Sequence, residues 1–204
     1  MKQKNWSPKN EVNKATVNIQ SWSSNKILKY GLNDLKDIEK AIKGVIAVCE
    51  KTSEVIYTCL KNNGKILTIG AGGSGVSGMS VMREIPQNHR DLDPEKVLYR
   101  VEGGEKIFKS YGCEELEDDY DEGRKDINLL NVSSKDVVLL LSASGRTPYI
   151  VGAAEESKRR GATTVGIFCH ESELMNIVDI PIFLDVGSEI FVGATCRCFE
   201  GDVW

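Results

Sequence analysis

Asp136-Val137-Val138-Leu139-Leu140-Leu141 runs without a break into Ser142-Ala143-Ser144-Gly145-Arg146-Thr147-Pro148, and this junction decides the fold. An apolar run with no polar alternation buries both faces, as in a parallel strand covered by helices on each side. The turn that follows is rich in hydroxyls and carries one glycine, and Pro148 suits the first turn of a helix that Gly161 then stops. The same pattern recurs along the chain. Lys65 to Ile69 predicts a strand that enters a Gly-rich loop, Gly70 to Gly78, with a helix through Val81 to Glu84 that ends before Pro86. Val97 to Val101 predicts a strand that reaches Glu102-Gly103-Gly104, and an acidic helical segment follows from Ile107 to Leu130. Thr163 to Phe168 and Ile180 to Leu184 complete five strands. Strands that alternate with helices define an α/β fold, here a three-layer α/β/α sandwich around a five-stranded parallel sheet.

Upstream of the first strand, Leu35, Ile38, Ile42, Val45, Ile46 and Cys49 recur at helical spacing behind a cap at Asn33 or Asp34. Val55, Ile56, Cys59 and Leu60 continue that helix to a stop at Asn62-Asn63-Gly64. Residues 1–32 are polar, with isolated Trp6 and Trp22, and read as a mobile arm or as N-terminal helix that packs only on a partner subunit. Residues 33–204 form the α/β domain.

The chain has 204 residues, enough for one such domain, with 26 Lys and Arg against 30 Asp and Glu. A net charge of −4 argues against nucleic acid or an acidic membrane surface as main partner. No apolar stretch approaches the ~20 residues that span a bilayer. Met1 to Trp6 lacks the apolar core of a secretion signal, so a cytoplasmic location is expected. Cys49, Cys59, Cys113, Cys169, Cys196 and Cys198 form no CxxC pair, and His89 and His170 lie far apart, so neither a metal site nor a disulfide framework is expected. The close pair Cys196 and Cys198 is weaker than a metal motif, and buried thiols acting as small apolar groups are the simpler reading.

Gly70-Ala71-Gly72-Gly73-Ser74-Gly75 matches the GxGxxG fingerprint between a strand and a helix, and Glu102 would supply the ribose-binding acid of a dinucleotide site. Glycines at that place also let backbone N–H groups approach any phosphate at a helix N-terminus. The second loop favours the latter. Ser142, Ser144 and Thr147 present three hydroxyls at another strand end, and with Ser74 they suit the terminal oxygens of a phosphomonoester. Gly72, Gly75, Gly145 and Arg146 complete the candidate phosphate-binding set, and no cofactor is called for.

The SxSGxT loop paired with a Gly/Ser loop resembles the sugar isomerase (SIS) domain, a phosphosugar-binding fold. More narrowly, Ala143 to Tyr149 is similar to the hallmark of the N-acetylmuramic acid 6-phosphate etherases. Around it the likeness includes Gly70-Ala71-Gly72-x-Ser74-Gly75, Glu84 before Pro86, Gly103-Gly104-Glu105, Glu117-Asp118 and Thr164 to Ile167, and reaches Gly187-x-Glu189 and Gly193. The resemblance implies that Glu84 is the proton donor and Glu117 the second catalytic carboxylate, in a cleavage of the D-lactyl ether that gives N-acetylglucosamine 6-phosphate and D-lactate. A homodimer and a sugar-phosphate ligand follow from the same resemblance. The chain departs from the family at Val76, where the family carries Arg, at Val81, and near Thr195 to Gly201; the family also extends beyond the position of Trp204. An incompletely covered sheet would expose apolar surface, which an oligomer would hide.

Read alone, the run Glu114 to Glu122 is an ordinary solvated helix face, and Glu117 is singled out only by the resemblance. Glu84, one helix beyond the glycine loop, is expected to reach back to the crevice. Two further functions share the phosphate loops: a non-catalytic phosphosugar sensor and a phosphosugar isomerase.

Overall fold

The computed structural model describes residues 13–104, 114–188 and 190. Glu105, Cys113, Glu189, Gly193, Cys196, Cys198 and the stretch from Ile107 to Cys113 lie outside the described residues. The chain divides into two compact units, Met1–Gly44 with Leu184–Trp204, and Val45–Phe183.

Helix α1 (Ser24–Lys61) starts within the first unit, earlier than the Asn33 or Asp34 cap expected from sequence, and its residues from Val45 on belong to the second. The physical reason is local. Ser23 Oγ accepts the Lys26 N–H at 3.3 Å, Trp22 packs edge-on against Tyr30 at 5.5 Å, and the Lys26 ammonium lies 3.8 Å over the Trp22 ring. These contacts fix the first turn, so the chain is already helical at Asn33, whose side chain instead accepts from Lys36. Ala41 and Val45 are buried, whereas Leu28, Leu32, Leu35, Ile38, Ile42 and Ile46 form an exposed apolar stripe. Cys49, read with the buried set, is exposed as well. Lys61 ends the helix, and Asn63 takes a φ of 64° before the chain enters the sheet.

The second unit holds strands β1 (Ile66–Gly70), β2 (Val97–Val101), β3 (Val137–Leu141), β4 (Thr163–Phe168) and β5 (Ile180–Phe183), all parallel in the order β2-β1-β3-β4-β5. Helix α2 (Gly72–Asn88) joins β1 to β2. Short α3 (Glu114–Glu117) and α4 (Tyr120–Leu129) precede β3, α5 (Pro148–Arg159) joins β3 to β4, and α6 (Leu174–Ile177) precedes β5. Side chains alternate across the sheet. Leu67, Ile69, Val138 and Leu140 join Ile127, Tyr149, Ile150, Ala153 and Ala154 in a core with α4 and α5. Thr68 and Leu141 turn the other way, onto α2 at Gly78. Helices therefore lie on both faces, the three-layer arrangement that an apolar parallel sheet demands. Glu156, almost fully buried on α5, accepts from Arg159 and Arg160, and Arg124 of α4 lies 3.7 Å away. The Arg159 guanidinium, more than the others, holds its carboxyl down at about 2.

Both boundaries of α2 also differ from the sequence reading, and the described part of the acidic segment forms two helices, α3 and α4, instead of one. The Gly-rich stretch is not a loop from Gly70 to Gly78; α2 starts at Gly72, and most of these glycines are helical. They are required by closeness rather than by a turn. A Cβ on Gly75 would lie 2.6 Å from the Gly70 carbonyl oxygen, and one on Gly78 would lie 2.3 Å from Leu141 Cδ1. The helix also runs through Pro86 instead of stopping before it. Pro86 stands in the last turn, where the one backbone bond it removes is outweighed by the packing of Gly75, Gly78 and Met82.

Candidate functional site

The strand order reverses at β1: the chain leaves it for β2 on one side, while β3 lies on the other. Ligands of doubly wound sheets bind beyond the carboxyl ends of the strands at such a reversal. Here Gly70 pairs with Leu141 in register, so the loops after β1 and β3 open side by side at one level.

The loop after β3 is a cup of hydroxyls. Ser142 Oγ lies 2.9 Å from Thr147 Oγ1 and 3.4 Å from Ser144 Oγ, and the Ser144 and Thr147 oxygens are 3.5 Å apart. Three features hold them. The N–H groups of Gly145 and Arg146 donate to Ser142 Oγ and Ser144 Oγ. Ser142 extends the ladder by donating its N–H to the Ile167 carbonyl. Gly145, at a φ of 64°, presses against Ser172, where a Cβ would lie 2.0 Å from the Ser172 hydroxyl. Thr147 precedes the first residue of α5, yet its side chain makes no capping bond and turns into the cup instead. Each hydroxyl carries one rotatable proton, so the trio can bond within itself or redirect its donors to an anion.

The loop after β1 supplies backbone. Gly75 brings the start of α2 against Gly70, and Ser74 lies half-buried in that first turn. Arg146 is exposed and donates from Nη2 to the Glu171 carbonyl at 3.3 Å, in the loop after β4. The structure thus gathers Gly72, Ser74, Gly75, Ser142, Ser144, Gly145, Arg146 and Thr147 at the carboxyl ends of adjoining strands.

The carboxylates divide. Glu117 closes α3 and stands near enough to Glu102, at the end of β2, for its charge to act on it. Glu84 is different. It is exposed and lies about 18 Å along α2 from Gly72, so its side chain does not reach the loops of its own chain as expected. The helix runs back along the sheet, away from the carboxyl ends.

Glu102, weighed in the sequence only as a ribose ligand, has a different role. It is 3% exposed, and its Oε1 accepts the Gly72 N–H at 2.9 Å. A carboxylate bound inward to the glycine loop is not presented to a ribose. Burial, more than the neighbouring Glu117 charge, pushes its carboxyl up to about 7. The signal for it was a glutamate directly after an apolar strand. Beside it, Tyr149 donates to Asp126 at 2.6 Å, and Asp126 pairs with Arg100 at 2.6 Å. This buried group ties β2, α4 and α5 together beneath the site, and burial drives the Tyr149 hydroxyl far above its ordinary range.

A cavity of about 510 Å³ lies at the opposite end of the sheet, lined by Cys59, Lys135, Asp136 and Thr163 among others. The Cys59 thiol there has the Lys65 and Lys135 carbonyls within reach of its single S–H, at 3.3 and 3.2 Å, and burial pushes its pKa up.

A five-stranded parallel sheet of this order, with a glycine loop and a hydroxyl-rich loop at its reversal, defines an α/β protein of the doubly wound class. The chain belongs to the SIS domain family, whose model matches residues 32–169. It is 35% identical over 184 residues to the N-acetylmuramic acid 6-phosphate etherase of Caldanaerobacter subterraneus subsp. tengcongensis, an overlap covering 90% of this chain and 60% of that protein. It is 37% identical over 187 residues to the etherase of Clostridium acetobutylicum, covering 91% and 61%. The chain therefore spans about three fifths of the length of these relatives. Among solved structures it resembles the phosphoheptose isomerase of Neisseria gonorrhoeae, with a TM-score of 0.63, 16% identity and coverage of 81% and 86% of the two chains. A second phosphoheptose isomerase, from Francisella tularensis, aligns with a TM-score of 0.62, 19% identity and coverage of 80% and 86%. At those identities the two structures support the fold. Among the described residues, no helix is long and apolar enough to cross a membrane.

Proposed function

We propose that this protein binds a phosphosugar at the crevice between the β1 and β3 loops and acts as an N-acetylmuramic acid 6-phosphate etherase-like lyase. The observation that carries the reading is the convergence of Ser142, Ser144 and Thr147 hydroxyls beside the N-terminus of α2. Identity of 35% to 37% to etherases over nine tenths of the chain supports the substrate class. The phosphate accepts from the three hydroxyls and from Ser74, while backbone N–H groups at the glycine loop add positive potential. The sugar then extends across the end of β1 toward Glu117. There a carboxylate removes the proton at C2 of the open-chain sugar, and the C2–C3 double bond forms as the C3–O bond breaks. The departing lactyl oxygen takes a proton from a carboxylic acid. Water adds back at C3 and a proton returns to C2, giving N-acetylglucosamine 6-phosphate and D-lactate. Such work needs two carboxyl groups held in different protonation states.

Glu84 is the proposed proton donor and Glu117 the base. Because Glu84 lies far along α2 from its own loops, the homodimer becomes part of the reading: a second copy brings its Glu84 to this site. The exposed stripe from Leu28 to Ile46 supplies apolar surface for such pairing. The test is lactate release from N-acetylmuramic acid 6-phosphate by the purified chain. Release is expected from the wild type, and Glu84→Gln should bind the substrate normally while losing about 10²–10⁴-fold in turnover. Binding without lactate would support the sensor instead, and an unchanged rate in the variant would remove Glu84 from the mechanism.

A further inference from the structure

One buried carboxyl at the site has no part in the elimination. Glu102 holds the Gly72 N–H through Oε1, while its buried Oε2 meets no hydrogen-bond partner among the described residues. Gly72 is the first residue of α2 and has a φ of 53°. The N–H groups of a first helical turn have no partner inside the helix and are what an incoming anion uses. Glu102 therefore sets its charge at the donors that a phosphosugar would approach. It fixes the loop in place, and as a carboxylate it also opposes the ligand.

Its surroundings do little to neutralise it. From α3, Glu117 adds a like charge. From α5, Tyr149 turns its hydroxyl to Asp126 of α4, and Arg100 of β2 is engaged by that same aspartate. β1 and the first turns of α2, through Val81, contain no titratable side chain. A dianion arriving at the loops meets a desolvated carboxylate on the β1 side, while the candidate cation, Arg146, belongs to the loop after β3 and donates to the Glu171 carbonyl. Two like charges sharing one poorly solvated site do not both remain.

We infer that Glu102 is a positioning residue for the glycine loop whose protonation is coupled to the ligand, so that binding a phosphosugar takes up a proton from solvent onto Oε2 while Oε1 keeps its bond to Gly72. The inference rests on the phosphosugar reading of the site. With a free-state value of about 7, the group is mostly charged at pH 7.5 before the ligand arrives and neutral afterwards. Affinity is thus full below that value and falls as pH rises above it. The ligand's own second ionisation, which favours binding as pH rises, acts in the opposite direction.

The test is calorimetric titration with N-acetylglucosamine 6-phosphate at pH 7.5 in buffers of different ionisation heat, on the wild type and Glu102→Gln. Glutamine keeps an acceptor for Gly72 and cannot titrate. On binding, the wild type should take up more protons than Glu102→Gln does, by roughly half a proton or more, and Glu102→Gln should still bind. Equal proton uptake in the two overturns the inference and leaves the phosphosugar reading standing; absence of binding by the wild type overturns that reading and the inference with it. If Glu102→Gln does not fold or bind, the wild-type affinity between pH 7 and 8.5 decides. A fall of about tenfold supports the coupling, and a flat or rising affinity overturns it.

Discussion

The loop after β1 and the loop after β3 end neighbouring strands at the same level, yet they are built from opposite materials. The first is nearly bare backbone. Its glycines let α2 close onto β1, and its anchoring contact comes from Glu102 on another strand. The second is a set of side chains, in which Ser142, Ser144 and Thr147 form a small bonded group and Gly145 only shapes the turn. One loop is therefore part of the packing and the other rests upon it. A change in the first should appear in stability before ligand affinity, and a change in the second in affinity alone.

Gly75→Ala is the largest expected departure. The added Cβ would meet the Gly70 carbonyl oxygen at 2.6 Å and Val101 Cγ1 at 2.8 Å, neither at the tip of a flexible chain. Separating α2 from β1 should cost about 2–4 kcal/mol, lowering the melting temperature by roughly 5–15 °C in a chain of this size. A melting temperature within a degree of wild type would mean that the close approach is not needed. Ser144→Ala probes the other side at smaller cost. The residue is half-buried and, among the described residues, its hydroxyl bonds within the loop, so unfolding should shift little while affinity for a sugar phosphate falls about tenfold or more, the loss of one charge-assisted hydrogen bond. Stability and affinity falling together there would erase the contrast between the loops.

The sheet was legible because its central strands, β1, β3 and β4, are largely buried on both faces and leave little choice of residue. Val97–Val101 and Thr163–Phe168 lie where the sequence put them, β3 and β5 are one residue shorter at one end, and β1 is shifted by one residue at both ends. Glycine misled where it serves contact instead of turning. Gly72 to Gly78 read as a loop because sequence does not show that β1 passes within a Cβ of the helix. The cup was legible from SxSGxT, since hydroxyls spaced on one short turn converge locally, although its support from Ile167 and Ser172 was not legible. The carboxylates were not. Glu117 could not be told from its acidic neighbours, and Glu84 looked near only because sequence distance does not show that α2 runs back along the sheet. Glu102 acquires its character from burial between β1, β2 and the following helices, a tertiary property.

Phosphate recognition by the cup is tested by calorimetric comparison of N-acetylmuramic acid 6-phosphate with unphosphorylated N-acetylmuramic acid, both titrated into the wild-type chain. A hydroxyl cup built for phosphate predicts saturable binding of the first and at least a hundredfold weaker binding of the second, the worth of two charge-assisted hydrogen bonds or more. Equal affinity for both sugars, or none for either, would contradict the account.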